Sequence, residues 1–418
     1  MRGMSSIVFA AAVAAALVAP APASAQIPQP FLALVNANVV DVRTGTIRPG
    51  ATVLVRDGAI VSVGEGAAPS GARVLDLKGK YLLPGFMDAH THLDNLAAAK
   101  RALESGATTV RSASVPSFND VTIRELSKKG YIAGPDMLAA GLYVTPHMED
   151  SVLADPELVN LIDGVTTLEQ LRQLVRVNLK HGVDVIKTRG TERAGRPDTD
   201  PREQVYTEEQ LSAVVEEALG KGVPVLAHSH GDEGSLAAVR AGVRSIEHGT
   251  FMSETTLQAM KERGTFFVPT YSTVVDLIEP GGDYDDPVVH VRGKFMLPYL
   301  QRTVRKAHQL GVPIVTGADS SYGPQSVTRV SHEIVNLAFD CGLTPLEALQ
   351  AATVNAARLF GLEKKTGAIE VGLEADLVAV EENPLINVRT VQDVLLVISN
   401  GRLALDRLTF GKTTASVR

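Results

Sequence analysis

Between residues 95 and 317 the chain repeats one phrase: an amphipathic helical stretch, a glycine, then a short apolar run. TLEQLRQLVRVNLKHG leads into VDVIKT, TEEQLSAVVEEALGKG into VPVLAHS, EGSLAAVRAG into VRSIEHG, SETTLQAMKERG into TFFVPT, and YLQRTVRKAHQLG into VPIVTGA. Strands that alternate with helices in this way pair in parallel, because each helix carries the chain back to the same end of the sheet. Eight candidate strands fall between residues 80 and 317. That number favours a closed (β/α)8 TIM-type barrel over an open doubly wound sheet, so the expected class is α/β with the barrel at 81–361.

The flanks have a different texture. LALVNANVVDV, ATVLVRDGAIVSVG and ARVLDLKGKYLLPG precede the repeats, and TGAIEVG, ADLVAVE and VLLVISNGRLAL follow them. These are dense in Val and Ile and punctuated by Gly, Asn and Asp, the texture of short strands. Strands at both ends of one βα core predict a small β-sandwich domain assembled from residues 26–80 plus 362–418. PGGDYDDPVV (280–289) reads as a loop inserted before a helix, either a cover over the barrel mouth or a plain surface excursion.

Residues 1–25 read as a signal peptide. Arg2 precedes the apolar run IVFAAAVAAALVA, and Ala23-Ser24-Ala25 forms a small-residue cleavage pattern. Cleavage after Ala25 would place a bacterial protein in the periplasm or outside the cell. No later run is apolar enough to span a bilayer, so no membrane association is expected after cleavage. The chain has 418 residues, 45% hydrophobic and 21% charged, and a formal charge of −7. That composition excludes a disordered or fibrous chain, and the acidic balance argues against a nucleic-acid partner. Cys341 is the single cysteine, which excludes a cysteine-built metal cage and an intrachain disulfide. Ten histidines remain.

Barrel active sites lie at the C-terminal ends of the strands. His90 and His92 follow the first candidate strand, and in an extended segment residues i and i+2 point the same way. Lys187 ends VDVIK, His228 and His230 follow VPVLA, His248 follows VRSIE, and Asp319 follows VPIVTGA. Imidazoles and carboxylates on several independent strand ends suit zinc, and also manganese or cobalt. For Lys187 the residues alone leave two readings. It is either a salt-bridging lysine or, after reaction with carbon dioxide, a carbamate able to bridge two metals.

At this point the motifs resemble the amidohydrolase superfamily. PGFMDAHTHLD (84–94), VDVIKTRG, VLAHSHG, SIEHGT, TGADS and the closing segment LTPLEALQAATVNAARLFGLEKKTGAIEVGLEADLVAVEENPL (343–385) carry the likeness. It is strongest to the branch of Xaa-Pro dipeptidases, imidazolonepropionases and ochratoxin-type amide hydrolases. The resemblance implies two divalent metal ions. His90 and His92 would hold one, His228 and His248 the other, and carboxylated Lys187 would bridge them. Asp319 would be both ligand and catalytic proton shuttle. It further implies substrate contacts from His230 and from His147, whose loop reads Thr145-Pro146-His147 where the family has Gly-Gly-His. Tyr143 and Arg189 are two further candidates, Arg189 because its planar fork matches a carboxylate.

The implied activity is hydrolysis of a C–N amide bond by a metal-bridging hydroxide, in dipeptides or N-acyl amino acids. A cyclic amide or imidazolone hydrolase is the alternative; such relatives usually work with one metal and often lack the lysine. A non-catalytic scaffold of the same fold is a remote third. Relatives often form symmetric assemblies, so a homo-oligomer acting on a small-molecule or peptide substrate is expected. No G-x-S-x-G elbow or G-x-G-x-x-G turn is present to support a serine hydrolase or a dinucleotide enzyme.

Overall fold

The structure is a computed structural model describing residues 31–408. The expected leader and the outermost parts of the terminal β-domain, 26–30 and 409–418, lie outside the described residues. Five strands come first: β1 (Leu32–Val40), β2 (Ile47–Arg56), β3 (Ala59–Gly64), β4 (Arg73–Asp76) and β5 (Tyr81–Pro84). Seven strands interleaved with helices come next: β6 (Phe86–Thr91), β7 (Ala107–Ser112), β8 (Asp136–Leu138), β9 (Ile186–Arg189), β10 (Val225–Ser229), β11 (Ser245–His248) and β12 (Phe266–Val268). The chain closes with β13 (Leu377–Val380), β14 (Leu396–Ser399) and β15 (Arg402–Asp406).

The repeats behave as their spacing dictates. Thr167 and Thr207 each cap a helix with a reciprocal Thr–Gln capping box, which satisfies two orphan N–H groups at once. Gly242 and Gly264 take φ of 98° and 68° just past their helices, left-handed turns that glycine adopts without the Cβ penalty. Each turn releases the chain directly into the next strand.

The interleaved strands pair in parallel as β6-β7-β8 and β9-β10-β11-β12. Backbone hydrogen bonds join the two groups. Asp184 N–H donates to Ala139 O (2.8 Å) and Val144 N–H to Lys187 O (2.8 Å), linking the stretch after β8 to β9. On the far side Val315 N–H donates to Phe267 O (2.9 Å), Ala89 N–H to Thr316 O (3.0 Å) and Asp319 N–H to His90 O (2.8 Å). Residues 313–319 thus stand where the eighth strand was expected, between β12 and β6, and the hydrogen-bonding order is cyclic. This segment is less regular than its neighbours, forming only isolated bridges at Ile314 and Ser320. A Cβ on Gly317 would lie 2.6 Å from Val268 and 2.9 Å from His90.

Both ends of the chain meet in one further sheet, ordered β15-β14-β13-β5-β1-β2-β3, with β4 on the same edge of β1 as β5. The two-sheet sandwich expected from the sequence is, in its hydrogen bonding, a single connected sheet. The joint is antiparallel β13–β5, with Leu377 opposite Pro84 and Ala379 opposite Leu82. Side chains alternate across it. Leu377 and Ala379 pack into the sheet's own core, while Val378 and Val380 join the core of the βα region. Among the described residues no helix is long and apolar enough to cross a membrane.

Gly234, in the helix Asp232–Ala241, touches Gly190 just past β9, and a Cβ there would overlap the Gly190 carbonyl, a backbone atom that cannot rotate away. Gly234→Ala is expected to cost about 1–3 kcal/mol, read as a lower urea midpoint with an unchanged m-value. An unchanged midpoint would show that the helix can shift outward freely.

Candidate metal centre

The strand ends at one mouth of the ring carry unusual backbone. His248, Thr270, Asp319 and Ser114 have φ of 73°, 47°, 49° and 93°. Each left-handed non-glycine residue costs about 1–3 kcal/mol and persists where the surroundings over-determine it. The effect at β11 is specific. Ser245 and Glu247 share the inward face of the strand by alternation. His248, one residue on, would face outward if the strand continued. Its positive φ swings the imidazole back inward, so adjacent residues Glu247 and His248 both serve the interior.

His90, His92 and Asp319 form one group of candidate ligands. His92 Nδ1 lies 2.7 Å from the Ser114 carbonyl, which can only accept, so in the neutral ring Nε2 is the lone pair. His90 Nδ1 lies 2.7 Å from Glu247 Oε2. Burial works against ionising Glu247, but the Arg111 guanidinium and the His90 hydrogen bond outweigh it and hold the carboxyl at about 2. His90 therefore donates through Nδ1 and presents Nε2 to the cavity, and burial holds that imidazole at about 4. Both Nε2 atoms approach the same oxygen, Asp319 Oδ1, at 3.4 and 3.1 Å. Asp319 is itself ionised: burial opposes this, but His90, His92 and Lys187 bring it to about 2. The His90 lone pair and the Asp319 carboxylate thus converge as acceptors, with His92 Nε2 against the same oxygen. A divalent cation is the species such a set fits.

His228, His230 and His248 form the second group. His248 Nδ1 meets Thr270 Oγ1 at 2.7 Å. That hydroxyl is already donating to the Pro269 carbonyl, so it accepts from the ring and leaves Nε2 free. His228 gives Nε2–H to the Glu192 carbonyl at 3.0 Å, leaving Nδ1 as its acceptor, and His230 Nδ1 meets Thr250 Oγ1 at 2.8 Å. Ring centroids stand 4.4–5.0 Å apart. Burial holds His230 at about 3 and drives His228 and His248 well below the usual imidazole range. Neutral imidazoles oriented by hydrogen bonds on their far nitrogens are in the metal-ligating state.

Lys187 is buried beside both groups, with Nζ 3.4 Å from His90 Nε2. Burial lowers it to about 8, assisted by Arg111 and Arg193 and opposed by Glu247 and Asp319. Among the described residues it has no salt-bridge partner, so the ordinary reading of a strand-end lysine has nothing to pair with.

The expected ligands His90, His92, Lys187, His228, His248 and Asp319 all line one cavity of about 330 Å³. Tyr143, His147 and His230 are also on its wall. Arg189 is not. It is 3% exposed and its guanidinium is committed to Glu192 at 2.9 Å. The arginine on the wall is Arg193, in the loop just beyond. Tyr284, from the inserted 280–289 segment, also lines the cavity, packed against Gly195.

Sequence reasoning passed over the residues beneath the ligands. Arg111 donates to Ala89 O, Ser245 Oγ and Glu247 Oε1 at 2.8, 3.0 and 2.9 Å. Asp88 accepts from the N–H groups of His90 and Ala318 at 3.1 and 2.9 Å and from Tyr322 OH at 2.8 Å. It thereby ties the two segments that carry the first ligand group. The available signal was charge inside otherwise apolar strands: Asp88, Arg111 and Glu247 each interrupt a buried run.

Oriented neutral imidazoles, an ionised aspartate and a buried lysine at one mouth of a parallel ring define a metal-dependent hydrolase acting on carbon–nitrogen bonds. Residues 81–404 match the amidohydrolase family, and the chain belongs to that family. It is 27% identical to an ochratoxinase of Aspergillus niger over 356 residues, 75% of this chain and 72% of that one. It is also 27% identical to an imidazolonepropionase of Symbiobacterium thermophilum over 390 residues, covering 81% and 85%. Among solved structures it resembles a Xaa-Pro dipeptidase with methionine bound in the active site, with a TM-score of 0.79, 28% identity, and coverage of 89% of this chain and 99% of that one.

Glu247→Gln keeps the shape of the side chain but removes the charge that faces Arg111 and orients His90. Metal affinity, measured by competition with a chelating dye, is expected to fall about 10–100-fold. Wild-type affinity would mean His90 is oriented by something else.

Proposed function

We propose that this protein is an exported binuclear amidohydrolase that cleaves the C–N bond of dipeptides or N-acyl amino acids. The fold is read accordingly as a (β/α)8 barrel with a β-sandwich-like domain from both termini. The observation that carries the proposal is Lys187: buried, in no ion pair among the described residues, and placed beside both ligand groups. An amine held at about 8 is partly neutral near neutral pH, the form that adds to carbon dioxide, and the resulting carbamate offers two oxygens. Two divalent ions, zinc by ligand chemistry, would be held by His90, His92 and Asp319 on one side and His228 and His248 on the other, with carboxylated Lys187 between; they would supply a nucleophile at neutral pH and a Lewis acid for the carbonyl.

The chain's own groups supply the rest. Asp319, ionised down to about pH 2, is the base that accepts a proton as the carbonyl is attacked and returns it to the leaving nitrogen. Arg193 lines the cavity, and among the described residues its Nε and the buried Tyr143 OH have no hydrogen-bond partner. Both are positioned for a carboxylate-bearing substrate, which favours dipeptides and N-acyl amino acids over cyclic amides. Tyr284 would close over the bound substrate and exclude water. The leader expected at residues 1–25 supports a periplasmic or secreted location.

Purified, metal-loaded protein should be screened against dipeptides, N-acyl amino acids and lactams, with elemental analysis alongside. Activity confined to lactams at one metal per chain would overturn the proposal. Asp319→Asn is expected to lower turnover at least about 100-fold; retention of full turnover would remove its proton-transfer role. Lys187→Ala should lose bound metal, with part of the loss restored by added short-chain carboxylate, while an unchanged metal content would rule out the bridge.

A further inference from the structure

A second cavity, of about 380 Å³, opens on the flank of the molecule away from the metal ligands. Its walls come from four stretches: the end of the helix Leu96–Glu104, the N-cap and first turn of the helix Val330–Phe339, the segment with Gln392 and Val394, and the chain just past β15. Three of them contribute a guanidinium, from Arg101, Arg329 and Arg407, and Glu104 is the one lining carboxylate. Glu104 itself leans on Lys100 at 3.7 Å. Among the described residues none of the three arginines forms an ion pair. Arg101 spends Nε on the Tyr322 carbonyl at 2.6 Å and Arg407 reaches the Val394 carbonyl at 3.5 Å. The Arg329 side chain has no hydrogen-bond partner among the described residues.

The first turn of the Val330–Phe339 helix points the same way. Val330 N–H is taken by Tyr322 OH at 3.3 Å and His332 N–H by the Arg329 carbonyl at 2.9 Å, which leaves the Ser331 N–H without a partner among the described residues. Ser331, in that first turn, is only 3% exposed, lines the cavity, and has no partner for its hydroxyl among the described residues. Three guanidiniums without ion-pair partners line the same void, and an anion is the ligand they suit. Donors arriving from three directions match a tetrahedral oxyanion better than a planar carboxylate, which one arginine fork satisfies alone.

We propose that this cleft binds a small phosphate-bearing anion, separately from the hydrolytic site. The metal-loaded full chain would be titrated calorimetrically with inorganic phosphate, against chloride at matched ionic strength. Ser331→Asp places a carboxylate in the cleft at a position where the helix N-terminus tolerates it. Arg407→Gln changes an exposed residue with little risk to folding. Phosphate also ligates metal ions, and neither variant touches a metal ligand, so binding at the metal centre would persist in both. The expected result is a phosphate-binding event that disappears in Ser331→Asp and weakens at least about tenfold in Arg407→Gln. Isotherms identical to wild type in both variants would assign all phosphate binding to the metal centre and overturn the proposal. Absence of any phosphate binding to the wild type would also overturn it.

Discussion

A carboxylate cannot stay ionised inside a protein unless something beside it replaces water, and the arrangement at this site hangs on one that does. Glu247 is fully buried. Arg111 reaches one of its oxygens from β7, with Ser245 on that same oxygen at 2.6 Å, and His90 reaches the other from β6. The strand that carries Glu247 is thus tied across the interior, by one charge, to two strands that are not its neighbours in the hydrogen-bonding order. Because Glu247 is ionised, His90 has a fixed tautomer. Because His90 has a fixed tautomer, its lone pair faces Asp319. Removing the charge would leave an arginine uncompensated in the interior, which costs more than the hydrogen bonds alone.

The same reasoning explains why the buried imidazoles are neutral. Seven potentially charged groups at one mouth would repel or neutralise one another haphazardly if each were free to protonate. Burial penalises the imidazolium forms of His90, His228, His230 and His248, and each orienting partner is either neutral or, for His90, an anion already matched by Arg111. The net effect is a cavity rich in lone pairs with one anionic aspartate and a lysine whose ammonium is weakened. Donors of that kind are matched to a cation, and the proposed carbamate converts the remaining mismatch, Lys187, into a further donor.

Much of this was legible before the fold was known, for a simple reason. Strand ends are local in sequence, so His90, His92, Lys187, His228, His248 and Asp319 could be found by reading the polar residues at the end of each apolar run. What failed to be legible depended on direction rather than position. Arg189 lies at a strand end, but its guanidinium turns to Glu192, and Arg193 on the irregular loop occupies the wall instead. No periodicity governs a loop, so spacing could not distinguish the two. Glu247 was hidden by its neighbour: strict alternation puts it opposite His248, and only the left-handed turn at His248 brings both inside. The terminal strands were recognisable as strands, but their joining into a single connected sheet rests on pairings between distant segments that composition does not encode.

That joining bears on how the molecule is made. β5 is synthesised early, yet its edge partner β13 emerges only after the entire ring has been translated. Until then β5 presents an unpaired edge beside the segment that becomes β6, the strand that carries His90. Closing so long an intervening loop is slow compared with forming local helix–strand contacts. The joining of β13–β15 to the N-terminal strands is therefore a late event in folding. A nascent chain shortened anywhere before β13 would lack the partner that covers β5, so the last strands act as a check on completeness, exposing an adhesive edge on any product that ends too soon.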